Sequence, residues 1–207
     1  MATDGNLARD GRHLTFVSKD RELVETLLEC VSRPDARIVQ VRTSSGGSAF
    51  RAQLSDVRLH QWLAARGLRP AKSLTLGAVE VPDDLFIHLL RGLLDGDGSI
   101  YVRRQRPTKR MYPDYWYMRI WTYFTSASLT HVEWLGDTIA TRLGPRGWLE
   151  QMHRPNRHPF YRLRFGKADS LALLGALYAD PTWPALARKR DIWHRYVNEG
   201  RCAEGGI

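Results

Sequence analysis

Two stretches of the chain carry the same short pattern, and the same order of elements follows each of them. The opening residues MATDGNL align with LDGDGSI at 94–100, so that Asp4 matches Asp97. Strand-like and helix-like segments then follow in the same order, and each copy closes near a lysine, Lys72 or Lys189. Because an ordered series that occurs twice is the mark of a repeat architecture, the sequence predicts two related halves.

The repeated unit is read from hydrophobic periodicity. The apolar positions recur at helical spacing in six segments, which are 20–33, 56–66, 83–94, 128–143, 168–178 and 184–197. Strict alternation predicts strands between them, including 50–54, 115–124 and 160–165. The predicted fold class is therefore α+β, with αββαββα repeats at 1–80 and 81–199. We expect the first repeat to lack its opening helix and the glycine-rich tail, 200–207, to be disordered.

Composition points to an anionic partner. The chain has 31 Lys and Arg against 22 Asp and Glu, a formal net charge of +9, together with 7 Trp and 8 Tyr. Nucleic acid is the leading candidate for such a partner, and the alternative is a basic protein that binds no polyanion. No apolar run approaches the ~20 residues of a membrane span, and no hydrophobic signal region opens the chain. Two distant cysteines, Cys30 and Cys202, fit a reducing, cytoplasmic setting.

The predicted strands have one apolar face and one basic or aromatic face. In 115–124, for example, Ile120 and Phe124 alternate with Arg119 and Trp121. A face that is merely solvated would mix acids with its bases, whereas acids are nearly absent from these faces. The pattern therefore favours contact with phosphates and base edges over plain solvation.

The segment HLLRGLLDGDGSI, residues 88–100, places acids where a helix ends. The C-terminal end of a helix carries partial negative charge, so a carboxylate there is poorly placed for stability. Gly92 and Gly96 are four residues apart and share one helix face, where small residues allow another helix to approach closely. The segment thus predicts a close helix crossing that ends in acidic side chains.

This segment resembles the LAGLIDADG motif of homing endonucleases. The matching positions are Leu90, Gly92, Leu93, Leu94, Asp95, Gly96, Asp97 and Gly98. The opening residues resemble a clipped copy of the same motif, in which Ala2 stands where the second copy has Asp95. The resemblance covers essentially the whole chain, because the downstream order of elements is also similar.

The resemblance implies a fold and an activity. Two αββαββα halves would pack through their motif helices, and their antiparallel sheets would form a saddle over the major groove of double-stranded DNA. The activity would be site-specific double-strand cleavage by metal-dependent hydrolysis of phosphodiester bonds. The last aspartate of each motif, Asp4 or Asp97, would hold Mg²⁺, with Mn²⁺ as the alternative ion. Asp95 would be structural.

The resemblance also implies roles for basic residues. Lys72 and Lys189 would polarise the attacking water or stabilise charge on the phosphate, and the alternative is that each is an ordinary surface lysine. The residues expected to contact DNA are Arg37, Gln40, Arg42, Arg51 and Gln53 in the first half and Arg103, Arg104, Arg106, Arg119, Trp121, Arg162 and Arg164 in the second. Lys109 and Arg110 in the basic insert would extend that contact or neutralise phosphates without reading sequence.

Two other functions remain open from the sequence, a DNA-binding regulator that does not cut and an RNA maturase. The presence of both Asp4 and Asp97 favours the endonuclease, since neither alternative needs metal ligands. The clipped first motif leaves helix 83–94 without its expected partner. A start upstream, a decayed copy and pairing with another chain are the three explanations, so we expect either a two-repeat monomer or self-association through this helix.

Overall fold

The structure is a computed structural model that describes residues 1–43, 46–106, 116–153, 155–156 and 158–204. The first half contains β1 Gly5–Leu7, β2 His13–Ser18, α1 Arg21–Cys30, β3 Ile38–Arg42, β4 Ser48–Ser55 and α2 Val57–Ala65. The second contains α3 Phe86–Asp97, β5 Ser99–Gln105, β6 Tyr117–Ser126, α4 Leu129–Leu143, β7 Trp148–Met152, β8 Phe160–Phe165, α5 Lys167–Leu177 and α6 Ala187–Glu204. The α+β class and the two-repeat organisation are confirmed.

Each half builds one four-stranded antiparallel sheet with the same strand order. The first sheet runs β1-β2-β4-β3 and the second runs β5-β6-β8-β7, so every strand has a counterpart in the other half. Helices pack on one face of each sheet, as α1 does on β2 and β4 and as α4 and α5 do on β6 and β8. The opposite face of each sheet, which we call the open face, carries no helix among the described residues.

All six predicted helices are present, with shifted ends. The third begins with a short 3-10 turn, Asp83–Leu85, before α3 continues to Asp97. The last begins at Ala187, after Pro184, and runs to Glu204, so helix occupies most of the tail that was expected to be disordered. The expected Lys109 and Arg110 contacts, and positions 205–207, lie outside the described residues.

The segment ahead of β1 differs from the segment ahead of β5. Residues 1–4 form a turn ahead of β1 at the place where α3 precedes β5. The cores of the two halves also differ. The second half has one large buried cluster around Leu90, Ile120 and Phe165, whereas the first half has two smaller clusters.

Helix α3 buries most of its apolar surface within the chain. Phe86, Leu90 and Leu94 are almost completely buried against the second sheet and α5. The side of the helix that faces α1 is a groove, with Gly92 exposed at its surface. The helix that was expected to lack a partner is thus largely covered by other parts of the chain.

Apolar and polar contacts fix the two halves against each other. Ala2, Val81, Leu89 and Trp134 pack against core clusters of both halves. Hydrogen bonds also join the two halves. Arg188 Nη2 donates to Asp20 Oδ2 at 2.7 Å, Ala187 N donates to Glu22 Oε1 at 3.0 Å, and Ser128 Oγ donates to Leu76 O at 2.6 Å. The halves therefore share one packed interface. None of the described helices combines the length and the hydropathy needed to cross a membrane.

Candidate active site and nucleic-acid surface

The two motif aspartates occupy equivalent places, one in each half. Asp97 is the last residue of α3 and Asp4 ends the opening turn, so each precedes the first strand of its sheet. The two segments touch at Gly96, because a Cβ built there would lie 2.1 Å from Oγ1 of Thr3. Only glycine fits at that position. The close approach predicted from the glycine pair thus occurs at Gly96, whereas a Cβ at Gly92 would meet no atom within 4 Å.

The two aspartates lie close enough for the charge of Asp97 to act on Asp4. Burial and then the negative charge of Asp97 raise the pKa of Asp4 to about 6. Partial desolvation at the junction raises the pKa of Asp97, although its open side is in contact with solvent. Lys72 and Lys189 oppose that rise. The site therefore concentrates negative charge that its own lysines only partly compensate.

The raised pKa of Asp4 predicts a pH-dependent stability in the absence of metal. Between the ordinary pKa of an aspartate and about 6, the folded state binds more protons than the unfolded state. The free energy of unfolding therefore falls as pH rises through this window and levels off above it, by about 1–2 kcal/mol after allowance for solvent screening. The measurement is urea unfolding in EDTA from about pH 4 to about pH 8, for the parent and for Asp4→Asn.

The difference between the two proteins isolates this effect from other carboxylates, such as Asp20 and Glu150, whose lowered pKa values give the opposite trend. Asp4→Asn is expected to be the more stable protein at the upper end of the range, and the gap is expected to close towards the lower end. A difference in the free energy of unfolding between the two proteins that does not change with pH would contradict the raised pKa of Asp4.

The two predicted lysines are buried beneath the aspartates. Lys189 is 3% exposed, and its Nζ donates to the carbonyls of Leu94 at 2.5 Å, Asp95 at 2.8 Å and Gly98 at 2.7 Å. Lys72 is 6% exposed, and its Nζ donates to the carbonyl of Gly5, which matches Gly98 in the other half. Each ammonium group therefore caps the C-terminal end of a motif segment, where carbonyls lack helical partners and positive charge is favoured.

Asp95 and Lys189 connect α3 to α6 through reciprocal hydrogen bonds. Asp95 is buried, and its Oδ2 accepts a hydrogen bond from the backbone N–H of Leu186 at 3.0 Å, just ahead of α6. In the other direction, Nζ of Lys189, in the first turn of α6, donates a hydrogen bond to the carbonyl of Asp95. Burial, and after it the positive charge of Arg188, lowers the pKa of Lys189 to about 8. The contacts of Asp95 are thus with backbone, which agrees with the structural role that the motif implies for it.

In the first sheet, the predicted DNA contacts divide between two faces. The register pairs Val39 with Arg51 and Thr15 with Gln53, which places Arg51 and Gln53 on the open face. Arg37 precedes β3 with the same alternation. Gln40 pairs with Phe50, and with Arg42 it lies on the face that the helices cover. The sequence prediction considered side-chain type without strand parity, so it joined residues that this edge strand separates.

In the second sheet, five predicted contacts share the open face. Their cross-strand partners in the register are also on this face: Arg103 pairs with Arg119, Trp121 with Tyr101, Arg162 with Thr125 and Arg164 with Tyr123. The five predicted residues are Arg103, Arg119, Trp121, Arg162 and Arg164. Arg104 lies on the other face with Met118, and its guanidinium carbon is 4.8 Å from the centroid of the Trp116 ring. Arg106 contacts the same ring at 4.4 Å. Five of the seven contacts predicted for this half therefore share the open face, whereas Arg104 and Arg106, at the edge of the insert, contact Trp116 instead.

One acid on this face was missed by the sequence analysis. Glu150 on β7 binds Arg162 Nη2 at 2.5 Å and Arg164 Nη1 at 3.0 Å. Burial acts to raise the pKa of Glu150, but the hydrogen bonds from Arg164 and Arg162 together outweigh it and hold the pKa below its usual value. Strand β7 was not predicted, because Trp148 and Leu149 interrupt the alternation of apolar and polar residues. Two of the four open-face arginines are thus already paired within the protein.

The residues present fit a divalent cation that is shared with a substrate. Among the described residues, no group of three or more His, Cys, Asp or Glu side chains could hold a metal ion by itself. Asp4 and Asp97 supply two carboxylates, and a cation held by them would offset the effect of the negative charge of Asp97 on Asp4. Mg²⁺ characteristically binds one or two carboxylates, retains water and takes substrate phosphate as a further ligand. The donor set therefore suits Mg²⁺ better than a cation that needs an all-protein cage.

Comparisons with known proteins identify the fold. No protein-family model and no curated protein matches the chain. Among solved structures, the I-SmaMI LAGLIDADG homing endonuclease bound to cleaved DNA matches all of this chain and 93% of its own length, at 11% identity and a TM-score of 0.57. The structure of I-DmoI in complex with DNA and Ca covers 88% of this chain and 83% of its own, at 14% identity and a TM-score of 0.54.

A third likeness is to full-length DUF199/WhiA from Thermatoga maritima, at 14% identity and a TM-score of 0.55. It covers 96% of this chain, which spans 56% of the length of that protein. Identities this low carry the fold and no more. With the motif residues in equivalent places and the same strand order in both sheets, the chain has the two-repeat LAGLIDADG fold.

Proposed function

We propose that the chain is a site-specific double-strand DNA endonuclease of the homing type. The observation that carries the proposal is the pair of carboxylates, Asp4 and Asp97, which stand at equivalent positions in the two halves. Burial, and after it the negative charge of Asp97, raises the pKa of Asp4. Such a pair is costly for stability and is useful for holding a divalent cation. When bound, Mg²⁺ would neutralise charge on the phosphate and lower the pKa of a bound water.

The protein would supply binding and orientation around that centre. The open faces carry Arg51 and Gln53 in the first half and Arg103 and Arg119 in the second. Guanidinium groups contact phosphates and bind guanine edges in the major groove, and amide groups bind adenine edges. The two similar sheets would place double-stranded DNA across both aspartates, and this supports a cut in each strand.

The test is cleavage of a library of double-stranded DNA with randomised sequence, in buffer with Mg²⁺ and in the same buffer with EDTA. Sequencing of the new ends is expected to return one extended site, cut in both strands, only when Mg²⁺ is present. Enrichment of a bound site in EDTA, with intact DNA in Mg²⁺, would remove the nuclease from the proposal and retain DNA recognition.

A second candidate is DNA binding without cleavage. The observation that favours it is the placement of Lys72 and Lys189, whose ammonium groups are occupied by backbone carbonyls and do not face outward beside the carboxylates. If the reaction requires a free lysine at each site, this arrangement does not provide one. The library experiment separates the two candidates, because a regulator would select a sequence and leave it uncut in every buffer.

A further inference from the structure

Each of the four consecutive residues 186–189, at the start of α6, makes a polar contact with another element. Leu186 and Lys189 bind the end of α3, which belongs to the same half. Between them, Ala187 and Arg188 bind carboxylates of the first half. The start of α6 is therefore held by both halves over a very short stretch of chain.

The two carboxylates from the first half belong to Asp20 and Glu22, at the start of α1. Arg188 donates two hydrogen bonds to Asp20, from Nε to Oδ1 at 2.9 Å and from Nη2 to Oδ2 at 2.7 Å. Glu22 accepts from the backbone N–H of Ala187, at 3.0 Å to Oε1 and 3.2 Å to Oε2. The first N–H groups of a helix have no partner within it and favour negative charge, so Glu22 supplies that partner from the other half. We call these contacts the clasp.

The stability of α1 does not account for the orientation of Asp20. An aspartate at the N-cap position ordinarily accepts a hydrogen bond from the helix that follows it. Asp56 does so at the start of α2, where its side chain accepts from the N–H of Leu59 at 2.9 Å. Asp20 occupies the N-cap position of α1, but its side chain makes no capping hydrogen bond and binds Arg188 instead. The contact with the second half therefore replaces a helix cap.

The ion pair of the clasp is also too exposed to be a large source of stability. The side chain of Arg188 is 55% exposed and that of Asp20 is 26% exposed. Exposed ion pairs contribute little to the free energy of unfolding, whereas two parallel hydrogen bonds fix the direction of a guanidinium group closely. The pair is therefore better suited to setting a geometry than to holding the fold together.

On the side of the first half, the clasp is joined to Asp4 through the backbone. The carbonyl of Asp4 accepts a hydrogen bond from the N–H of Val17 at 3.2 Å, near the end of β2. Asp20 follows the end of β2 by two residues. Because packed and paired segments deform little, a displacement of Asp20 is expected to move Asp4 as well.

On the side of the second half, Lys189 joins the clasp to Asp97. Lys189 follows Arg188 in the chain, and its Nζ donates to the carbonyl of Gly98, the residue after Asp97, at 2.7 Å. The side chain of Lys189 is buried, so its position is tied to the end of α3. The separation of the two motif aspartates thus depends on the clasp as well as on the close approach at Gly96.

We propose that the clasp positions the two motif aspartates relative to each other for a shared divalent cation, with Asp20, Glu22 and Arg188 as positioning residues. These three side chains act through the backbone of their own half and through Lys189. The role in cleavage rests on the proposed function, whereas the fixed placement of the two halves does not. The experiment therefore has one readout for placement and another for the reaction.

The variants change each side of the ion pair separately and then together. Asp20→Ser removes the carboxylate that binds Arg188 and leaves a residue that caps helices well. Arg188→Gln removes the charge and the pair of parallel hydrogen bonds. The matched control is Glu25→Gln, because Glu25 also lies on α1 and forms an ion pair of 2.7 Å, but with Arg21 of the same helix.

Placement is measured as the distance between two spin labels by double electron–electron resonance, in buffer with EDTA. The labels are attached at Gln61→Cys on α2 and at Glu133→Cys on α4, which are exposed positions in different halves. The labelled proteins also carry Cys30→Ser and Cys202→Ser, which remove the native thiols. Thermal unfolding accompanies each measurement, so that a changed distance is not mistaken for a loss of folding.

The parent and Glu25→Gln are expected to give the same narrow distance distribution, and each clasp variant a broader or shifted one. The Asp20→Ser/Arg188→Gln double variant is expected to match the single variants, because all three lose one and the same contact. Tm is expected to fall by no more than about 4 °C, since the lost ion pair is exposed. An unchanged distribution in both single variants, or an equal change in the control, would overturn the proposal.

The reaction is measured as single-turnover cleavage of the DNA site selected from the library. Each single clasp variant is expected to cut about 10–100-fold more slowly in Mg²⁺, because small displacements around a reacting centre have effects of this size. Binding of the site in EDTA is expected to stay within about threefold of the parent, since phosphate contacts dominate affinity and the clasp lies away from the open faces. Cleavage at the parent rate by both single variants would overturn the positioning role.

The two readouts separate a failure of this proposal from a failure of the proposed function. A parent that binds its site and never cuts it, with distances that broaden in the clasp variants, would retain the clasp and remove the nuclease. A parent that cuts its site, with clasp variants that keep both its distances and its rate, would retain the nuclease and remove the clasp.

Discussion

Substitution of Asp97 by asparagine is expected to reduce Mg²⁺-dependent cleavage of the selected DNA site by about 10³-fold, with no loss of binding to that site in EDTA. The substitution replaces an oxygen ligand that carries charge with a neutral amide of the same shape. If Asp97 and Asp4 hold the cation together, its loss removes several kcal/mol of stabilisation from the charged transition state. Affinity for DNA is expected to stay equal or to rise, because a carboxylate that repels phosphate is gone.

The variant also has an expected effect on its neighbour. Without the negative charge of Asp97, the pKa of Asp4 returns towards the value of an ordinary aspartate, apart from the contribution of burial. Asp97→Asn is therefore expected to be at least as stable as the parent while it is inactive. Asp4→Asn is expected to behave in the same way, because the two positions are equivalent in the two halves.

The matched control is Asp84→Asn, which removes the same charge from an exposed position in the 3-10 turn before α3. Cleavage by this variant is expected to stay within about twofold of the parent, as is usual for an exposed substitution away from a site. Cleavage by Asp97→Asn at a rate near that of the control would contradict the assignment of the metal site, even if the protein proved to be a nuclease.

The repeat and its order of elements could be predicted from the sequence because they rest on local patterns. The apolar spacing of 128–143 determines α4, and the alternation within Tyr117–Ser126 determines β6. The equivalence of Asp4 and Asp97 followed from the same alignment. Each of these features lies within a single segment, where side-chain type and spacing carry the information.

The features that escaped prediction depend on contacts between distant segments. Lys189 reaches the carbonyl of Gly98 across 91 positions of the chain, and Lys72 reaches that of Gly5 across 67. A lysine that caps carbonyls and a lysine that faces a substrate have the same local sequence. The pairing of Glu150 with Arg162 and Arg164 likewise requires the register of β7 on β8, and β7 has no clean alternation.

The burial of Lys189 predicts the second large effect, a loss of stability. Lys189→Met keeps a side chain of similar length and removes the donor, so the carbonyls of Leu94, Asp95 and Gly98 lose a buried hydrogen bond. Charge-assisted hydrogen bonds to buried groups are individually worth more than neutral ones, but the variant also avoids the cost of burying a charge, which is the main cause of the lowered pKa. The free energy of unfolding is expected to fall by about 3 kcal/mol.

Thermal unfolding measures this loss as a decrease in Tm of roughly 6–12 °C for a chain of this size. The matched control is Lys167→Met, which removes an exposed lysine at the start of α5 and is expected to leave Tm unchanged within about 1 °C. Lys72→Met is expected to give a smaller decrease than Lys189→Met, because Lys72 makes fewer hydrogen bonds with carbonyls.

The same variants separate a capping lysine from a catalytic one. If Lys189 only caps the motif helix, Lys189→Met is expected to cut DNA at close to the parent rate when the assay is run well below its lowered Tm. A capping role would be contradicted if Tm matched that of Lys167→Met while cleavage fell by two orders of magnitude. That result would mean that the ammonium group leaves the carbonyls of α3 and moves to the scissile phosphate when DNA binds, so that both sites would be assembled only on the substrate.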